Sequence, residues 1–220
     1  MSAELKKRII TSFLLVSLLI LMFFYTYILI VSLIIVGVIS WIEFYSLTSK
    51  IFLKTNRIQK ILKFLLKAIS LIYITSLIYL IVVTQSKNPE LYIFIVFSIS
   101  IAIMSDVGGL IIGNIFKGKK LSKISPKKTI SGSLGSFIFS LLLIPIFLNH
   151  LAYSNIIFLL IITLLISLTS QLGDLFISFL KRKASVKNTS DLLPGHGGVL
   201  DRIDGIIFAI PIGFLLLNYL

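Results

Sequence analysis

The chain has 220 residues, of which 57% are hydrophobic and 13% charged, and its mean hydropathy is +1.08. A soluble domain of this size has no interior able to hide so much apolar surface, so the composition excludes a water-soluble globular protein and predicts a polytopic membrane protein. Twenty-one Lys and Arg against eight Asp and Glu give a formal charge of +13, and the lack of cysteine excludes disulfides and thiolate metal sites.

The polar, basic start from Met1 to Arg8 runs into an apolar stretch without a small-residue cleavage site, which predicts a retained first helix rather than a signal peptide. A helix needs about 20 apolar residues to cross the hydrocarbon core. Runs of that kind predict an all-α fold of seven spans over roughly 9–25, 27–47, 61–84, 91–116, 130–148, 155–180 and 203–219. The fourth is interrupted by Asp106, Gly108, Gly109 and Gly113, and reading it as two half-helices would raise the count to eight.

With seven spans, 20 of the 21 basic residues fall on one side and Lys87 alone on the other. That bias predicts a cytoplasmic N-terminus, cytoplasmic basic loops and a C-terminus outside. In a bacterium the expected location is the inner membrane. Residues 1–220 read as one integral membrane domain, with 1–100 poor in motifs and 101–220 carrying the chemistry. No repeat or low-complexity tract interrupts it.

Acids are the rarest charged residues, so their placement is informative. Glu4 and Glu90 lie at polar ends. Glu43, beside Trp41 and Tyr45 near the cytoplasmic end of the second span, reads as an interfacial residue within reach of water or a lysine. Asp106, Asp174, Asp201 and Asp204 lie within or next to apolar helices, where an ionised carboxylate costs several kcal/mol unless it has a partner or a task. All four fall toward the cytoplasmic side, which favours one shared site over separate ion pairs with lysines.

At 3.6 residues per turn, Asp174, Ser178, Lys181 and Arg182 share one face of the sixth span. Such a stripe suits a cation at Asp174 and an anion at Lys181 and Arg182, although the two bases alone would also fit snorkelling. Next comes Leu193-Pro194-Gly195-His196-Gly197-Gly198-Val199-Leu200-Asp201-Arg202-Ile203-Asp204. Its glycines permit successive N–H groups to turn toward a phosphate. Asp201 and Asp204, at i and i+3, suit a hard divalent cation that bridges phosphate oxygens. A simple N-cap at Asp201 would leave His196, Gly197, Gly198 and Arg202 without a purpose. The segment Ser125-Pro126-Lys127-Lys128-Thr129, opening the fifth span, adds phosphate-binding capacity at a helix N-terminus. Together these groups predict phosphoryl or nucleotidyl transfer onto a lipid-borne phosphate, governed by positioning and electrostatics.

The run Ser178-x-x-Lys181-Arg182, then Lys187, then Pro194-Gly-His196-Gly197-Gly198-x-x-Asp201-Arg202-x-Asp204 resembles the signature of the phosphatidate cytidylyltransferase (CDP-diacylglycerol synthase) family. Gln171-Leu-Gly-Asp174, Ser125-Pro126-x-Lys128-Thr129 and Asp106-x-Gly108 resemble the same family, so the likeness covers about half the chain, from 105 to 205. The resemblance implies a membrane enzyme that condenses CTP with phosphatidic acid, releasing pyrophosphate, with Mg²⁺ and room for a second, monovalent cation. It implies a cation held by Asp174 and Asp201 with Asp204 nearby, and a catalytic group of Asp201, Lys181 and Arg202. Phosphates fall to Ser125, Lys128, Thr129, Ser178, Arg182, His196, Gly197 and Gly198. A homodimer in the membrane lipid is expected, and no nucleic-acid partner. Two departures stand out: Asn188 replaces the family's usual Asp, and Leu110 replaces an aromatic. The chain also reads as one or two spans shorter than longer members. The rival readings are a CTP-dependent kinase of a polyprenol-type lipid and, from another class, a cation transporter using intramembrane Asp residues.

Overall fold

The fold, obtained as a computed structural model, describes residues 3–52, 56–122, 124–151 and 156–218. Among them the regular elements are α-helices, with no strand: α1 (Ala3–Phe24), α2 (Thr26–Ile51), α3 (Arg57–Lys87), α4 (Pro89–Phe116), α5 (Ile130–Leu141), α6 (Ile144–Leu151), α7 (Ile156–Lys183), α8 (Leu200–Ile203) and α9 (Ile206–Asn218). Four of these, α2, α3, α4 and α7, are long and apolar enough to cross a membrane, and α5 with α6 makes a fifth if the bent pair is one span. Large side chains such as Phe13, Tyr27, Phe64 and Ile72 stand exposed on the helices, as expected where the solvent is lipid. This is an integral membrane protein.

Among the described residues, four or five helices meet the length and apolarity of a full span, and the first and last of the seven expected spans are represented by shorter described helices. Within α1 the described apolar stretch is Ile10–Phe24. The 13 residues of α9 reach about 20 Å at 1.5 Å per residue, against about 30 Å of hydrocarbon. The expected span 203–219 therefore begins later, after the separate turn α8.

A second difference concerns 91–116. The half-helix alternative fails, because α4 is continuous through Gly108, Gly109 and Gly113. Their role is packing. A Cβ at Gly108 would run into the Gly135 carbonyl and Phe139, and one at Gly135 into Ile112 and the Gly108 carbonyl. Small residues facing each other let the backbones of α4 and α5 touch, the usual way helices gain contact inside a bilayer. Ser136 adds to the seam by donating to the Ser105 carbonyl at 2.7 Å.

The chain forms two compact units, one of Met1–Val82 with Leu180–Ile203, the other of Val83–Phe179 with Asp204–Leu220. In the first, α2 packs against α1 and α8. In the second, α4 packs against α5, α6 and α9, around a core that includes Phe97, Ile101, Leu159, Ile166 and Ala209. Between α5 and α6 the chain bends by 43°. Pro145 has no N–H to return to the preceding turn, so the helix breaks there and restarts.

Candidate functional site

In the first unit the segment after α7 is shaped by its glycines. The Val186 N–H donates to the Lys181 carbonyl at 3.0 Å, closing the helix end. Farther on, Leu193 and Gly197 pair, with Leu193 N–H donating to the Gly197 carbonyl at 2.8 Å. Gly195 and Gly197 hold φ of +78° and +85°, a region L side chains avoid. The turn they make presents the Gly198 N–H to Asp201.

Asp201 is the centre of this unit's polar cluster. Its Oδ1 accepts from Lys181 Nζ at 2.7 Å, and the two side chains are only 7% and 13% exposed. Its Oδ2 accepts from the backbone N–H groups of Thr189 at 2.9 Å and Gly198 at 3.0 Å, and lies 3.0 Å from the Thr189 hydroxyl. Burial pushes this carboxyl up and is the largest single influence. The Lys181 ammonium and the amides of Gly198 and Thr189 together outweigh it and hold the group below its ordinary 3.8.

Glu43 corrects the sequence reading. Instead of lying at the interface, it is 4% exposed and accepts four hydrogen bonds, three from the segment between α7 and α8 and one from the first residue of α8. Ser190 Oγ and Val199 N–H donate to Oε1 at 2.6 and 3.0 Å. Thr189 Oγ1 and Leu200 N–H donate to Oε2 at 2.7 and 2.8 Å. Trp41 and Tyr45, the neighbours that prompted the interfacial reading, serve another face of α2: Trp41 Nε1 donates to the Lys67 carbonyl and Lys67 Nζ sits 3.0 Å over the Tyr45 ring. A signal was present. Gly37, Ser40, Glu43 and Leu47 share the buried face of α2, so the only acid of that span stands in a row of small residues rather than in the aromatic one.

His196 does not point into this cluster of acids. Its Nδ1 lies 2.7 Å from Thr11 Oγ1 and its Nε2 3.3 Å from Ser12 Oγ, tying the turn to α1. Arg202 donates through Nε and Nη2 to the His196 carbonyl at 3.0 and 2.5 Å, a brace across the glycine turn. Arg182 is exposed. Asn188 is exposed as well and reaches the Asp191 carboxylate at 3.5 Å.

The second unit holds another group. Asp174 pairs through Oδ2 with Lys128 Nζ, their side chains 21% and 26% exposed, and accepts from Ser178 Oγ at 3.3 Å, as the helical spacing predicts. Thr129 caps α5 by accepting from the Gly132 N–H at 3.1 Å. Ser125 contributes its carbonyl to the turn that presents Lys128. Ser133 donates to Gln171 Oε1 at 2.5 Å, which leaves the buried Gln171 Nε2 as a donor without an acceptor. Asp204 is 6% exposed and accepts from the Gly205 N–H at 2.9 Å. Gly173 lets the Asp204 carbonyl close in on α7, since a Cβ there would lie 2.8 Å from it. Asp106 is exposed on α4. Among the described residues, no three His, Asp or Glu side chains gather as metal ligands.

The two Lys–Asp pairs place charged groups beside helix ends and glycine-shaped backbone. The chain matches the Cytidylyltransferase family over residues 2–220, and it belongs to that family. Among curated proteins it is similar to the phosphatidate cytidylyltransferase of Rickettsia prowazekii (strain Madrid E), 42% identical over 149 residues, which are 64% of each chain. That of Rickettsia bellii (strain RML369-C) is 44% identical over 145 residues, 60% of each. That of Staphylococcus haemolyticus (strain JCSC1435) is 39% identical over 126 residues, 56% of this chain and 48% of the relative. The match thus spans less than two thirds of these relatives' length.

Proposed function

We propose that the chain transfers the cytidylyl group of CTP to phosphatidic acid, forming CDP-diacylglycerol and pyrophosphate for phospholipid synthesis. The carrying observation is the Lys181–Asp201 pair, nearly buried and framed by the N–H groups of Thr189 and Gly198. A buried pair of this kind contributes little net stability, whereas a lysine held by a carboxylate beside a glycine turn can give its charge to a phosphate. In the reaction a phosphate oxygen of the lipid attacks the α-phosphorus of CTP, the bond from that phosphorus to the β-phosphate oxygen breaks, and pyrophosphate leaves. The lipid phosphate is already the nucleophile, so the protein's task is to position two polyanions and offset their charge. Lys181 and Arg182 in one unit, and Lys128 with the unpartnered Gln171 amide in the other, are the groups proposed for phosphate oxygens. His196, Gly197 and Arg202 shape the turn that carries Gly198.

The donor chemistry fits Mg²⁺. Magnesium takes hard oxygen donors and is held by one or two carboxylates completed by water and substrate phosphates, not by a closed protein cage. Asp201 and Asp174, each now balanced by a lysine, are the carboxylates proposed to hold it, with Asp204 and a monovalent cation as further members. When bound, Mg²⁺ neutralises phosphate oxygens and makes the α-phosphorus a better electrophile.

Counting α1 and α9 as short spans restores seven, and the positive-inside bias then supports a cytoplasmic site and an outer C-terminus in the bacterial inner membrane. A homodimer through the membrane helices is part of the proposal.

The test uses purified protein in detergent with phosphatidic acid, Mg²⁺ and CTP labelled at the α-phosphate. Label in the lipid extract, lost on chelation and restored by Mg²⁺, is the expected result. Transfer of only a γ-label would mean a kinase, and ion flux in liposomes without CTP a transporter.

A further inference from the structure

We propose that Glu43 is a positioning residue for this reaction, holding the segment 189–200 through both carboxylate oxygens and setting the Asp201 carboxylate through the hydroxyl of Thr189. The inference rests on the cytidylyl-transfer reading, in which Asp201 acts.

The first argument is chemical. All four partners of Glu43 are donors, two hydroxyls and two backbone amides, and a carboxylate is the side chain that offers acceptors at both ends. Glutamine in the same place would turn an N–H₂ group toward one pair of donors. A carboxylate buried to 4% exposure and met only by neutral donors is expensive to keep. Anchoring a loop would not by itself require a charge.

The second argument is the Thr189 hydroxyl. It lies 2.7 Å from Glu43 Oε2 and 3.0 Å from Asp201 Oδ2, and it has one hydrogen to give. Asp201 Oδ2 already receives two N–H groups, and the Glu43 contact is the shorter. The hydrogen therefore goes to Glu43, and Asp201 keeps its negative charge for Lys181 and for the reaction. Without the Glu43 charge the hydroxyl turns to Asp201 and draws that charge away. The third argument is steric. A Cβ on Gly198 would occupy the space of Thr189 Oγ1 and both Glu43 oxygens, so this glycine makes room for the Glu43–Thr189 contact.

The test combines a mutant cycle with hydrogen exchange on the full-length protein in detergent. Glu43→Gln and Thr189→Val should each lower kcat about tenfold or more while KM for CTP moves less than about threefold. The double variant should be no worse than the poorer single, because both remove one coupling. Thr189→Ser should recover most of the rate lost in Thr189→Val, and Glu43→Asp should fall between wild type and Glu43→Gln. Exchange of the Val199 and Leu200 amides should accelerate in Glu43→Gln while amides within α7 stay unchanged. Additive losses, or kcat within about threefold of wild type in Glu43→Gln, would overturn the proposal even if exchange accelerates. Should the wild type form no CDP-diacylglycerol, the transfer reading fails by itself. The exchange arm then decides the hold of Glu43 on its segment, unchanged protection overturning it.

Discussion

Lys181 Nζ donates to Asp201 Oδ1 at 2.7 Å, joining the last turn of α7 to the single turn of α8 across 20 positions of chain. The contact places a charge pair in a setting where each member depends on the other. Removing one leaves a mostly buried charge unpaired, and removing both leaves a neutral gap.

Asp201→Asn should therefore abolish turnover, since a neutral amide neither balances Lys181 nor ligates a hard cation well. In thermal unfolding, Asp201→Asn and Lys181→Met should each cost about 1–3 kcal/mol, and the double variant less than their sum. Turnover of Asp201→Asn within a few-fold of wild type would remove Asp201 from the catalytic group.

Acid should loosen the same loop. The Asp201 carboxyl sits below its ordinary 3.8 in the folded chain, so near that pH the group binds fewer protons folded than unfolded. The stabilisation is complete above 3.8 and is lost as pH falls through the lower folded value. Exchange of the Thr189 and Gly198 amides, corrected for intrinsic rates, should show constant protection from pH 6 to 8 (about neutral, where both states are ionised) and loss of protection below the ordinary carboxylate range.

Asn188 occupies the position where the family usually has Asp, and its side chain reaches Asp191 at 3.5 Å. Asn188→Asp would set two carboxylates against each other on an exposed loop. The rate or apparent CTP affinity should change by about tenfold or less, equivalent to about 1.4 kcal/mol. Combining it with Asp191→Asn should reverse the change. An inactive wild type revived by Asn188→Asp would put the missing acid at the centre of the site.

The seam between α4 and α5 predicts a purely structural effect. Gly135→Val would drive a side chain into Ile112 and the Gly108 carbonyl and should destabilise by about 1–3 kcal/mol. Leu134→Val, on the exposed face of the same helix, should not. Thermal unfolding in detergent separates the two.

Because the chain has no cysteine, topology can be read by introducing one at a time. Cysteines replacing Ser122 or Ser185 should label only from the cytoplasmic face, and one replacing Ser86 only from outside. The opposite pattern would reverse the orientation expected from the basic loops.

Much of this protein is local and so was legible in the sequence. Apolar run lengths marked the long helices, and helical spacing paired Asp174 with Ser178. The glycine-rich segment around His196 announced a turn, although its Gly198 N–H meets the Asp201 carboxylate, and the departure at Asn188 needed no structure to be seen. Tertiary structure decided what depends on partners far along the chain. Glycines in α4 look like breaks until α5 is seen lying against them. Pro145 bends a span whose apolar length gave no hint of the angle. Lys128, read as a phosphate-binding residue, is matched with Asp174, and Arg202 with the His196 carbonyl. Glu43 shows the limit best. Its partners lie 146 to 157 residues away, and periodicity can say which face of α2 is buried but not what is buried against it. A carboxylate costs too much to bury alone, so its meaning depends on donors that only the folded chain brings to it.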